Sequence, residues 1–192
     1  MSIGNLHTMT GYKFDEVFSA LQKCIRRGEE QQALYWASEL ESEFCPHLWN
    51  RLEIISHEDI GMANPAVIVF IRTCKEQYLE MRQRKNQARK LVLANAILAL
   101  CRSPKSRLAD TFMLSVYLAE TRYEIPDVAV DRHTGAGRKL GRGWDHFFAE
   151  GVRLAGDQPV PDPYRETAEA LCRAGRPYRD DDPAVGTWRS SN

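Results

Sequence analysis

From Phe14 to about Glu120 the apolar residues of this chain recur at helical spacing, and no segment carries the sustained alternation that a half-buried strand requires. That period dictates an all-α fold, an orthogonal helical bundle followed by an irregular segment. Phe14, Val17, Phe18, Leu21 and Ile25 share one stripe, and Gly28 is placed to stop the first helix in a left-handed cap. A second helix is expected over Glu29 to Glu43, with Leu34, Ala37 and Leu40 inward. Cys45 and Pro46 then break the chain ahead of a third helix holding Leu48, Leu52 and Ile55. Asn64-Pro65 and Ser103-Pro104 each join a polar cap to a proline at the first helical position, and so mark two further starts. Between them Val67 to about Arg84 and Lys85 to Cys101 read as long helices. Ile68, Ile71 and Leu79, then Ala88, Leu91, Val92 and Ile97, supply their inward faces.

The character changes after Ile125-Pro126. Gly135, Gly137, Gly141, Gly143, Gly151 and Gly156, followed by Pro159, Pro161, Pro163, Pro177 and Pro183, describe a chain that wraps, with short helices around Trp144 to Leu154 and Pro163 to Arg173. From Arg176 onward a frayed tail is expected. The organisation is therefore an N-terminal extension (1–13), a helical domain (14–122), a Gly/Pro-rich wrapping segment (123–175) and a tail (176–192).

At 43% hydrophobic and 27% charged residues, the 192-residue chain has the composition of a globular protein with one core. Its longest apolar runs, Pro65 to Ile71 and Leu91 to Leu100, fall well short of the roughly 20 residues of a bilayer span. The N-terminus has no basic-then-apolar pattern, so no secretory signal is read and a cytoplasmic location is expected. Five scattered cysteines (Cys24, Cys45, Cys74, Cys101, Cys172) with no Cys-x-x-Cys pair read as reduced core thiols, with no disulfide framework and no zinc site.

Lys+Arg and Asp+Glu number 26 each, so the net charge is zero, which argues against a whole-surface polyelectrolyte binder. The cancellation is regional. Phe14 to Gly61 carries four basic against ten acidic residues, and Arg72 to Arg107 carries ten basic against two acidic. Opposed regions of this kind suit self-association in which one subunit's acidic face meets the next one's basic face. The basic region also suits phosphate contact, through Arg82, Arg84, Lys85, Arg89, Lys90, Lys105 and Arg107, extended by Arg138, Lys139 and Arg142.

Catalytic constellations are weak. The stretch Gly135 to Trp144 lacks the Gly-Lys-Ser/Thr end of a phosphate-cradling loop and has no strand before it. Ser19, Ser38, Ser56 and Ser115 sit in no nucleophile elbow. His57-Glu58-Asp59, with His133, Asp145 and His146, is the one metal-hydrolase alternative, using His57, Asp59, His133 or His146. Adjacent helical residues point about 100° apart, however, and the i, i+4 spacing of a zinc helix is missing. No cofactor is expected, and the chain reads as a non-enzyme.

Three stretches resemble one family, the C-terminal region of the RarA/MgsA replication-associated recombination AAA+ ATPases, which is similar to the collar of clamp loaders. Ser19 to Trp36 (SALQKCIRRGEEQQALYW) matches its Ser-Ala-Leu opening and Ala-Leu-Tyr-Trp close. Ser56 to Pro65 (SHEDIGMANP) is close to its Ser-Glu-Asp-Ile-Gly signature followed by Ala-x-Pro, with His57 as an extra residue. Ala96 to Ser106 (AILALCRSPKS) is close to its apolar helix ending in Pro-Lys-Ser. The order and spacing agree from roughly Phe14 to Glu120. The resemblance implies a collar-like fold, a homo-oligomer, a tetramer by the family's habit, and a replication or recombination setting with DNA or an AAA+ ATPase as partner. On this reading the chain stands alone without the ATPase module, and ATP hydrolysis is not implied.

At the residue level, Ser56, Glu58, Asp59 and Gly61 are expected to form a helix stop and turn, the carboxylates accepting backbone N–H groups near Asn64-Pro65. Ser103, Pro104, Lys105 and Ser106 are expected to form a capped helix start that leaves Lys105 pointing outward.

Overall fold

The apolar stripe that begins at Phe14 folds as α1 (Phe14–Arg27) and buries Phe14, Val17, Phe18, Leu21, Cys24 and Ile25. The computed structural model describes residues 6–156 and 161–176. Asp15 and Glu16 in the first turn and Arg26 and Arg27 in the last oppose the helix dipole. Gly28 (φ 76°) closes the helix as expected: its N–H donates to Ile25 O at 3.1 Å and the Glu29 N–H to Cys24 O at 2.9 Å. Ahead of α1, residues 6–13 turn back on themselves through a bridge between His7 and Lys13.

In α2 (Glu30–Glu41) the inward stripe is Ala33, Ala37 and Leu40. Leu34, expected inside, is exposed. It lies one residue off the i, i+4, i+7 line, and the two alanines that hold that line allow α1 and α2 to approach closely. The Cys45-Pro46 pair starts α3 (Cys45–Ile55) where a break was expected, because proline is tolerated in a first turn that lacks N–H acceptors. α3 buries Cys45, Leu48, Trp49, Leu52 and Ile55, and runs on into a π turn (Ser56–Ile60) and a 3₁₀ turn (Gly61–Ala63).

α4 (Pro65–Gln83) begins at the expected Asn64-Pro65 boundary and buries Val67, Ile71, Cys74 and Tyr78. α5 (Arg89–Arg102) buries Leu93, Ala96, Ile97, Leu100 and Cys101, so Leu91 and Ala88, expected inside, lie on the exposed side. The α4 to α5 corner uses no glycine or proline. Lys85 takes the left-handed conformation (φ 55°), Asn86 N–H reaches Met81 O at 2.9 Å, and the Asn86 side chain accepts from Ala88 N–H at 2.9 Å. The core is continuous across α1 to α5, with Trp49 tilted against Tyr78 at 5.1 Å.

Packing brings the two oppositely charged regions together. Arg102 grips both oxygens of Glu30 at 2.7 and 3.1 Å, Lys75 reaches Glu53 at 2.6 Å and Arg72 the same carboxylate at 3.3 Å. Arg89 lies 3.4 Å from Glu41, and Arg107 lies 3.5 Å from Glu58. Four acidic residues of the first stretch are thus paired with basic residues of the second within one chain. α6 (Leu108–Tyr117) follows and buries no side chain at all.

The chain divides at Glu120/Thr121 into two compact units. The second contains a 3₁₀ turn (Asp127–Ala129), α7 (Gly135–Lys139), α8 (Trp144–His146, continued by a π turn to Gly151) and α9 (Arg165–Arg173). His133, Trp144, Phe147 and Phe148 cluster there, with the Arg132 guanidinium 3.4 Å from the Trp144 ring centroid. The first half of the glycine-rich stretch, Gly135–Lys139, is helical, and Leu140 to Gly143 turn out of it. Thr134 caps it by accepting from Gly137 N–H at 3.0 Å, and a Cβ on Gly137 would fall 1.8 Å from Asp131 O. The expected tail lies outside the described residues beyond Arg176. Among the described residues no helix is long and apolar enough to cross a membrane.

Cys24, Cys45, Cys74 and Cys101 are free and buried, and Cys172 is half-buried. Burial pushes the Cys101 thiol up to about 11 and raises Cys24 and Cys74 as well. Because the thiolate is the nucleophile, titration of the folded protein with a thiol reagent at mildly alkaline pH should modify Cys172 first and the buried thiols only on unfolding. The raised values contribute stability that is complete below the unfolded thiol value of 9.0 and lost as pH rises toward 11, so the melting temperature should fall across that window.

Candidate functional site

Asp59 is fully buried, and a buried carboxylate must be paired or strongly hydrogen-bonded. Arg26 Nε donates to its Oδ1 at 2.8 Å and Gln22 Nε2 to its Oδ2 at 3.1 Å, both from α1. Arg51 holds Gln22 in turn through its Oε1 at 3.3 Å. The same Arg26 guanidinium reaches Glu58 at 3.4 Å, and Glu58 receives Arg107, which also pairs with Asp110. Asp59 O accepts the Ser106 N–H at 2.9 Å. The Ser56–Pro65 and Ala96–Ser106 signatures therefore meet, one supplying a carbonyl and the other its donor. The expectation that Glu58 and Asp59 accept backbone N–H groups near Asn64-Pro65 is corrected: their partners are arginines and Gln22.

The π turn accounts for His57. A π turn holds one more residue per turn than an α-helix, so a one-residue insertion is absorbed there without displacing the residues on either side. Ser56 stays buried with its hydroxyl on Glu53 O at 2.6 Å, His57 is exposed, and Ile60 and Gly61 remain inside. Gly61 takes φ 49° and ψ −124°, which a side chain would oppose, and its α-carbon faces the Ala109 methyl.

Ser103-Pro104 is not a helix start. Ser103 ends α5, its hydroxyl donating to Ala99 O at 2.8 Å and accepting from Asn64 Nδ2 at 3.0 Å. The two predicted caps thus bind each other. Lys105, expected to point outward, turns back so that Nζ donates to Leu100 O, Cys101 O and Ser103 O at 2.8, 2.8 and 2.7 Å. A lysine at a helix C-terminus satisfies orphan carbonyls and the dipole together. Burial lowers its pKa below the usual lysine value. The actual start of α6 is at Leu108, whose N–H the Ser106 hydroxyl accepts at 3.2 Å.

α6 leans on the π turn and leaves a cleft of about 620 Å³ lined by Asn50, Ile54, His57, Ala109 and Met113, with Glu53, Glu58 and Asp110 among its walls. Beyond it Leu108, Phe112 and Val116, four residues apart, stand 64, 68 and 52% exposed. No charge or heptad marks this surface in the sequence. Its one signal is the density of apolar residues from Phe112 to Leu118, which follows no amphipathic period.

The basic candidates separate. Arg84 pairs with Glu80 at 2.7 Å, Arg82 donates to Ser42 O at 3.0 Å, and Arg138 to Arg132 O and His133 O at 3.3 and 3.2 Å. Arg142 grips both oxygens of Asp127 at 2.6 and 2.8 Å. The side chains of Lys85, Lys90 and Lys139 make no hydrogen bond or ion pair among the described residues. Of the metal-hydrolase set, His57 and Asp59 belong to the first unit and His133 and His146 to the second. His133 faces Asp131 at 3.0 Å, and no group of three His, Cys, Asp or Glu residues able to hold a metal occurs among the described residues.

Asp59→Ala should lower the unfolding free energy by about 2–4 kcal/mol, since Arg26 keeps only Glu58. Lys105→Met, which leaves three carbonyls without their charged donor, should cost about 1–3 kcal/mol. Urea unfolding with an unchanged m-value measures both, and a Lys105→Met variant as stable as the parent would remove the capping role.

Comparison with known proteins bears on the same segments. The family described as MgsA AAA+ ATPase C terminal matches residues 28–169, which begins within the Ser19 to Trp36 motif, runs past Glu120 and takes in the glycine-rich segment. The replication-associated recombination protein A of Bacillus subtilis (strain 168) is 32% identical over 170 residues, 83% of this chain and 38% of that protein. The chain thus spans well under half the length of that relative. With the match covering most of the chain, the protein belongs to the MgsA AAA+ ATPase C-terminal family.

Proposed function

We propose that this domain is a non-catalytic self-association module acting in replication-associated recombination, and that α6 is the surface through which copies join. The observation that carries this reading is α6 itself. It is a ten-residue helix with no buried residue, and it presents Leu108, Phe112, Val116 and Tyr117 to solvent. A helix this short is marginal without packing, and a helix that is apolar most of the way round is made to be covered. Burial of each such side chain contributes about 1.5–3 kcal/mol, so a handful offsets the loss of freedom on association. The cleft beside it, lined by Ile54, Ala109 and Met113, offers a second copy's α6 a complementary apolar floor. The family relationship supplies the setting, since the Bacillus subtilis relative is named for replication-associated recombination.

The charge distribution supports a narrower DNA contact than the count of basic residues suggests. Arg102, Lys105, Arg107 and Arg142 are held by partners within the chain, and at the α4 to α5 corner Lys85 and Lys90, beside the Arg84–Glu80 pair, form the DNA-facing end. A partner AAA+ ATPase carrying the same region would dock on α6 by the same contacts.

Light scattering of the purified chain should give an oligomer, and Phe112→Asp combined with Val116→Asp should reduce it to a monomer. Both side chains are exposed in the single chain, so the variant should still unfold cooperatively as a folded bundle. A parent protein that is strictly monomeric at high micromolar concentration ends the self-association reading. Association only with a full-length AAA+ relative would transfer α6 to that partner.

A further inference from the structure

Three helices converge on a small cavity of about 210 Å³ beside the α4 to α5 corner. Ser38 and Glu41 come from α2, Tyr78 and Arg82 from α4, and Arg89 and Lys90 from α5. Three cations share the space with one carboxylate, and that carboxylate is occupied. Glu41 Oε1 accepts the Tyr78 hydroxyl at 2.9 Å and lies 3.4 Å from Arg89 Nε. Arg89 Nη1 donates to Asn86 O at 3.3 Å and to Gln87 Oε1 at 3.1 Å, while its Nε has no acceptor in bonding geometry among the described residues. Lys90 makes no side-chain hydrogen bond there.

The placement of these cations is itself unfavourable without an anion. α5 opens with Arg89 and Lys90 in its first turn, has no acidic residue there, and is preceded by Ala88, which cannot cap. Two positive side chains at the positive end of a helix repel its dipole, whereas a negative group bound between them is favoured by both.

We propose that this cavity is a phosphate-binding subsite, in which Arg82, Arg89 and Lys90 surround the oxygens of one nucleic-acid phosphodiester, opposite Ser38, whose hydroxyl donates to Tyr35 O at 2.7 Å. The proposal rests on the DNA-facing reading of the α4 to α5 corner and gives it a specific seat. The cavity is smaller than the about 300–1,000 Å³ of pockets for drug-sized ligands and has room for a phosphate. The tetrahedral anion suits donors arriving from two helices, and arginine supplies more than one N–H to it. Lys85, exposed at the adjoining corner, continues the positive surface for a neighbouring phosphate.

Ser38→Asp places a carboxylate in the cavity from an exposed position on α2, and Lys90→Ala removes an exposed cation, so neither disturbs the core. Fluorescence anisotropy of the full chain with labelled single- and double-stranded oligonucleotides should show Ser38→Asp weakening binding about tenfold or more. Lys90→Ala should reduce the slope of log affinity against log salt by about 1. Melting curves matching the parent confirm that both variants fold. Inorganic phosphate, titrated separately, should produce saturable shifts in the NMR spectrum that Ser38→Asp abolishes, and it should compete with oligonucleotide only at high concentration.

Oligonucleotide binding unchanged in both variants but lost on Arg84→Ala with Lys85→Ala overturns the subsite and leaves the DNA-facing corner standing. Saturable phosphate binding without any oligonucleotide binding at low salt keeps the phosphate site and removes the nucleic-acid source. No binding of either overturns both.

Discussion

A single buried carboxylate sets the terms for the first unit. Asp59 has no solvent exposure, and an ionised carboxylate in that position costs several kcal/mol unless its neighbours offset it. Arg26 and Gln22 must therefore stand where they do, which fixes the rotation of α1 against the end of α3. Glu58 draws in Arg107, and the Asp59 carbonyl takes the Ser106 N–H, so one residue pair positions α1, the π turn and the approach to α6. The apolar core would tolerate small rotations of these helices. The carboxylate does not, because each of its oxygens has one directional donor.

The charge pattern has its cause in the same packing. A chain with one acidic and one basic stretch resembles a dipole when read linearly, and folding lays the two stretches side by side. Glu30, Glu41, Glu53 and Glu58 each meet a basic residue from α4, α5 or the segment after it. Pairs as exposed as Glu30 with Arg102 contribute little stability singly. Zero net charge is thus an internal balance. Lys85 and Lys90 keep no such partner among the described residues, and α6 stays apolar and uncovered.

Much of the bundle is legible in the sequence because it depends on local periodicity. The stripe from Phe14 to Ile25, the glycine stop at Gly28 and the Asn64-Pro65 start are all decided within a few residues of themselves, and the structure has them there. The departures share a cause. Ser103-Pro104 has the composition of a helix start, yet its serine and the lysine after it turn toward the helix behind them. Direction of that kind is set by unpaired carbonyls at Leu100 and Cys101, which spacing does not reveal. Lys105 reads as a surface cation for the same reason. Leu34 and Leu91 fit an apolar count but miss the inward line by a residue, and the α4 to α5 corner is hidden because it is made by a lysine with positive φ. The pairing of Asp59 with Arg26 joins residues 33 apart in sequence, so Glu58 and Asp59 are recognisable as a motif while their partners are not.

α6 shows how the two halves of this picture act together. Its start is fixed by polar contacts alone, the Ser106 hydroxyl at Leu108 N–H and Arg107 bridging Glu58 and Asp110. Past that point the helix is apolar and uncovered. If apolar contacts to the bundle had held it, the same side chains would lie in the core, as they do in α1. Holding the helix by charge at one end leaves Phe112 and Val116 available, in a stretch that is stable only when something covers it. Asp59 therefore reaches beyond the core: by fixing Ser106 and, through Arg26 and Glu58, Arg107, it sets the angle at which the uncovered helix leaves the bundle.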